Sequence, residues 1–126
     1  MDFLQRRGHL AVSPNPDPAK EYVATIEGSM GAGKIDVALR YVPDRDILDP
    51  AAFVAYLEVL GGMAWDSLEQ TAVTIIDDIN NEVVPRWARI VISTKEDEAA
   101  GAHSVLLEDS QPEWDNPALI SRLKLL

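Results

Sequence analysis

Four side chains in this sequence have the types and settings that acid–base or ligand chemistry needs. Glu69 stands near the start of the run W-D-S-L-E-Q-T-A-V-T-I-I-D-D-I-N-N-E-V-V-P-R-W, Trp65 to Trp87, which reads as an amphipathic helix followed at once by a strand. A carboxylate on the first turn of such a helix can accept two parallel N–H bonds from a planar heterocycle, such as the edge of a purine or pterin. The helix dipole also favours an acid there without any ligand. Lys34, Asp36 and His103 are candidate acid–base groups on strand segments that can present them to a cleft. Lys34 and Asp36 lie two apart and share a face, so a plain ion pair explains them equally well.

Composition removes several kinds of chemistry. The chain has no cysteine, which excludes disulfides, thiolate nucleophiles and Cys-ligated metals together. A formal net charge of −10 repels a polyphosphate backbone, so no nucleic-acid partner is expected. His9 and His103 are far apart with no metal-ligand spacing, and no metal is expected. Asp77, Asp78 and Glu82 read as a solvated helix face, Glu96-Asp97-Glu98 as a soluble turn, and Trp65, Trp87 and Trp114 as core or interface anchors. Met1 to Leu10 lacks the apolar core of a signal peptide and no run approaches a membrane span, so a cytoplasmic protein with no membrane partner is expected.

One motif is a decoy. G-S-M-G-A-G-K, Gly28 to Lys34, has the glycine and lysine spacing of a phosphate-binding loop. That chemistry needs a Ser or Thr next, for magnesium, and a helix whose N-terminus faces the phosphates. Ile35 follows instead, and the residues after it alternate as a strand. The glycines read as a hairpin turn.

The elements that must position these groups follow from punctuation and period. Pro14, Pro16 and Pro18 predict an extended, flexible lead-in over residues 1–19, with neither helix nor paired strand. A single domain over residues 20–126 follows. Glu21 to Met30 and Gly33 to Val42 alternate as a hairpin, with Ile35, Val37, Leu39 and Tyr41 on one face. Asp49-Pro50 opens a helix with the stripe Phe53, Leu57 and Leu60, ended by Gly61-Gly62. Asp66 or Ser67 caps the next, with the stripe Leu68, Ala72, Ile75, Ile76 and Ile79, and Pro85 stops it. Trp87 to Ser93 and His103 to Leu107 read as strands, and Asn116-Pro117 opens a short C-terminal helix. The order strand, strand, helix, helix, strand, strand reads as α+β, with helices on one face of a four-stranded antiparallel sheet. Its two free edges invite a homo-oligomer.

N-P-D-P, E-Y-V-A-T-I-E, Y-V-P-D, L-E and P-R-W occur in that order across Lys20 to Ser93 and the proline segment before it. In these stretches the chain resembles the 7-cyano-7-deazaguanine reductases, the nitrile reductases of the tunnelling-fold (T-fold) superfamily. The resemblance implies a T-fold-like ββααββ unit, subunits joined into barrels, and a site between subunits where a glutamate anchors a purine-, deazapurine- or pterin-like ring. Glu69 falls at that glutamate. The family's cysteine nucleophile and proton-donating aspartate belong to a segment replaced here by the short glycine turn. Leu68 stands where the histidine before the glutamate is usual, and D-P-A-A-F-V-A-Y stands where the family's NADPH-associated lysine motif follows Y-V-P-D. No thioimide can form without a thiolate, and NADPH is not expected as a cofactor. The resemblance therefore implies heterocycle binding through Glu69 with some other chemistry, or a non-catalytic assembly or accessory protein.

Overall fold

Asp49, Ser67 and Asn116 each start a helix by the same means, a side-chain oxygen that accepts an otherwise orphaned backbone N–H. The computed structural model describes residues 3–94 and 101–123. In chain order the elements are α1 (Phe3–Arg7), β1 (Val12–Pro14), β2 (Ala24–Met30), β3 (Ile35–Val42), β4 (Asp46–Leu48), α2 (Pro50–Gly61), α3 (Leu68–Glu82), β5 (Trp87–Thr94), β6 (Ser104–Ser110) and α4 (Pro117–Ile120). The acidic turn expected over Lys95 to Ala100 lies outside the described residues.

The architecture is α+β with antiparallel sheets. The larger sheet has four strands in the order β2-β3-β5-β6, and a second sheet pairs β1 with β4. On the larger sheet, α2 packs against β2 and α3 against β5 and β6. The period-two alternation of β3 sends Val37, Leu39 and Tyr41 into the core, where each is at most 2% exposed. They meet Phe53, Tyr56, Leu57 and Leu60 of α2 and Leu68, Ala72, Ile75 and Ile79 of α3 in one hydrophobic cluster. Those helical positions recur every three or four residues, which makes one buried stripe on each helix.

The glycine segment is a hairpin turn. Gly31, Ala32 and Gly33 have φ of 63°, 59° and 79°, and β3 follows directly. Gly61 ends α2 so close to this turn that a Cβ there would lie 2.7 Å from the backbone nitrogen of Gly31. The turn thus docks on the end of a helix and cradles no helix N-terminus.

The lead-in expectation is corrected. Phe3–Arg7 is helical, and Val12–Pro14 pairs with β4 in the register Val12 to Leu48, Ser13 to Ile47 and Pro14 to Asp46. Pro14 is tolerated because it closes a short strand of a two-stranded sheet, where a missing N–H need not break a ladder.

At the far end of the large sheet, Val42 and Trp87 face away from the helices yet are buried. The chain leaving β6 crosses this end. Gln111 Nε2 donates to Asp44 at 3.1 Å, Trp114 Nε1 donates to Glu21 at 3.2 Å, and Asn116 Nδ2 donates to Glu21 at 2.7 Å. The segment before β2 is thereby tied to the segment after β6. Trp114 and Leu119 are half-buried by it.

Candidate functional site

The first turn of α3 is held by a set of local hydrogen bonds. Ser67 Oγ accepts from the Gln70 backbone N–H at 3.0 Å, and the Gln70 side chain accepts from the Asp66 N–H at 2.8 Å. This is a capping arrangement shifted one residue outward from the usual box. Glu69 lies between these anchors with its side chain 61% exposed. His103 precedes β6, fixed by its backbone N–H donating to Thr94 Oγ1 at 3.2 Å and its carbonyl accepting from the Thr94 N–H at 2.9 Å. Its Nε2 lies 3.3 Å from Glu69 Oε2, and it is itself 49% exposed. Two of the four candidate residues therefore meet, one from a helix start and one from a strand start.

A carboxylate beside an imidazole orients the ring and can stabilise its protonated form, which is the local requirement for a proton relay. As a purely structural pair at this exposure it contributes about 0–1 kcal/mol. Its prominence is therefore chemical rather than energetic.

Asp36 and Lys34 do not join them. Asp36 lies on the sheet face away from the helices, in the cross-strand row Ser29, Asp36, Ser93 and Ser104. There it lines a concavity of about 580 Å³ with Glu27, Ala38, Val91, Ser93 and Ser104. Ser104 and His103 are consecutive, so the concavity and the Glu69–His103 pair lie on opposite sides of the same strand. Lys34 is exposed just before β3 and makes no ion pair with Asp36. Glu69 lines neither this concavity nor the one of about 420 Å³ beside the glycine turn and Glu58.

One residue read from sequence as solvated is the most deeply placed charge described. Asp78 is 0% exposed. Its Oδ2 accepts from Arg6 Nε at 2.6 Å and from the Tyr56 hydroxyl at 2.5 Å. Its Oδ1 accepts from Arg6 Nη2 at 3.0 Å and Arg7 Nε at 2.7 Å. All four acceptor positions of the carboxylate are filled, which is what permits its burial. Burial first, then the bond to Asp78, pushes the Tyr56 phenol above its ordinary range, and hydrogen bonding to Asp78 raises Arg6. A signal was present in the sequence: Leu68, Thr71, Ile75 and Asp78 continue one buried face at steps of three and four. The adjacent arginines at 6 and 7 were its possible partners.

Four of the five stretches behind the family resemblance, all but L-E, converge at the other end of the sheet. Asn15, 5% exposed, donates to the Asp44 carbonyl at 2.8 Å and accepts from Tyr22 at 2.7 Å. Arg86 donates to the Pro18 carbonyl at 2.7 Å and lies 3.6 Å from Glu21 and 3.4 Å from Asp44. N-P-D-P, E-Y-V, Y-V-P-D and P-R-W are thus joined in one polar knot that fastens loops to the sheet. Every polar group of this knot named here has a protein partner, which gives the stretches a structural role.

No helix among the described residues is long and apolar enough to cross a membrane. Among them, no group of three or more His, Asp or Glu side chains is arranged to hold a metal ion. No protein-family model matches the chain, and no curated protein matches it.

Proposed function

We propose that this chain is a T-fold-like subunit of a homo-oligomer, which binds a purine-, deazapurine- or pterin-like heterocycle through Glu69. The observation that supports this is the meeting of Glu69 and His103, a carboxylate able to accept two N–H bonds with an imidazole 3.3 Å away. The four-stranded antiparallel sheet with α2 and α3 packed on it supports this reading at the level of α+β class. An exposed carboxylate suits a site that a neighbouring copy completes. A heterocycle donating two N–H bonds would take the place of His103 at Oε2, leaving the imidazole beside the ring to exchange a proton. With no cysteine in the chain, that chemistry is not thiol-dependent nitrile reduction.

Calorimetry with guanine, deazaguanine and pterin compounds on wild type and Glu69→Ala tests the assignment. A desolvated bidentate contact predicts a loss of at least ~2 kcal/mol on substitution. Equal affinity in the two proteins, or no binding by either, rejects it.

The alternative is a non-catalytic assembly or accessory protein, favoured by the 61% exposure of Glu69 and its absence from both concavities. On that reading the oligomer forms normally in Glu69→Ala and heterocycles leave its melting temperature unchanged.

A further inference from the structure

Arg6 grips Asp78 in the manner of a bound ligand. Nε and Nη2 of one planar guanidinium engage the two carboxylate oxygens at 2.6 and 3.0 Å, the side-on fork that distinguishes arginine from a point charge. The receiving groups sit on two longer helices, Tyr56 on α2 and Asp78 on α3, both 0% exposed and built into the core. The gripping group comes from elsewhere. Helix α1 has five residues, too few to be stable alone; it packs on α2 and α3, and its Arg6 and Arg7 converge on Asp78 of α3. Leu4 on α1 is 69% exposed, and the exposed pair Gly8-His9 separates this helix from the buried Leu10.

We infer that the cleft between α2 and α3, floored by Asp78 and Tyr56, is a guanidinium-recognition site whose present occupant is the chain's own N-terminal arm, and that an arginine of another chain can take the same place. The recognising groups belong to rigid elements and the occupant to a short tethered one, which is how a preformed site and its ligand divide. Departure of the arm would leave the Asp78 carboxylate with the Tyr56 hydroxyl but without its guanidinium donors, a state that favours rebinding of a group with the same fork. A bare ammonium offers the charge but not the two parallel bonds. The arm of a second copy presents the same two arginines, so arm exchange would reproduce every contact in trans.

The test uses the full chain carrying Arg6→Ala with Arg7→Ala, and Arg6→Ala alone as the milder variant, each checked for folding by circular dichroism. The probe is the acetylated and amidated pentapeptide of α1, with ethylguanidinium and ethylammonium as small probes. Saturating peptide is expected to raise the melting temperature of either variant by about 5 °C and to leave wild type unmoved. Ethylguanidinium should bind and ethylammonium should not, and adding Asp78→Asn should abolish every response. A second arm of the experiment mixes the doubly substituted chain, which has an empty cleft, with the Asp78→Asn chain, which has an arm and no carboxylate. A heterodimer in native mass spectrometry assigns the site to a second copy. Peptide binding without a heterodimer assigns it to a separate arginine-bearing partner. If a folded variant responds to neither peptide nor ethylguanidinium, or responds equally to ethylammonium, the inference is overturned.

Discussion

Replacing Asp78 by Asn keeps the volume of the side chain and removes its charge, so it isolates what the buried carboxylate does. In the native protein the carboxylate accepts four hydrogen bonds, three from guanidinium groups. The amide must turn an N–H toward at least one of those donors, and it removes the carboxylate charge that Arg6 and Arg7 share. Breaking one side of a buried ion pair costs about 3–5 kcal/mol. For 126 residues the unfolding entropy near 60 °C is about 0.26 kcal/mol/K, so the melting temperature should fall by roughly 10–20 °C. Tyr56→Phe, which vacates one acceptor position on the same carboxylate, should cost about 1–2 kcal/mol. Because both changes act on Asp78, the double variant should lose less than the sum. Thermal unfolding followed by circular dichroism reads all three. An Asp78→Asn protein melting within about 3 °C of wild type would refute the view that this carboxylate organises the junction of α1, α2 and α3.

Two further outcomes follow from the packing. Burial is the leading cause that raises the phenols of Tyr41 and Tyr56 above their ordinary value, so both stay protonated in the fold after the unfolded chain has lost its protons. The contribution of these phenols should be level up to about pH 10 and then fall as pH rises, by up to about 1.4 kcal/mol per pH unit from Tyr56, with Tyr56→Phe making the fall shallower. Urea unfolding between pH 8 and 11.5 measures this, and a flat profile above pH 10 contradicts it. Gly61→Ala would set a Cβ 2.7 Å from the Gly31 nitrogen, a backbone atom that cannot swing aside. It should cost about 1–3 kcal/mol by denaturant titration, and a neutral or stabilising effect would show that the hairpin turn is not docked on α2.

The parts of this fold readable in sequence are those governed by local rules. Asp49-Pro50, Asp66-Ser67 and Asn116-Pro117 mark helix starts because capping acts within a few residues, and the structure selects Ser67 of the middle pair. Val37, Leu39 and Tyr41 betray a strand because alternation is a property of the strand itself. What escaped depends on partners distant in sequence. β1 and β4 are three residues each, too short to show a period, and exist as strands only because they pair. Asp78 looks like a surface acid beside Asp77 until Arg6 and Arg7, some seventy residues earlier, are brought to it. Glu69 was identifiable as a first-turn acid and His103 as an isolated histidine, but their meeting depends on how β6 returns beside α3. The same holds for Asp36, whose facing was readable while the concavity it lines needed all four strands in register.

The most direct examination of the proposed function is a crystal structure of the protein grown with guanine or a pterin. Two copies are expected in contact beside the start of α3, with a flat ring between them. The Glu69 carboxylate should accept two N–H bonds from that ring at 2.7–3.1 Å, with His103 turned aside. A monomer with Glu69 still open to water, still beside His103, and no ring within reach would contradict it.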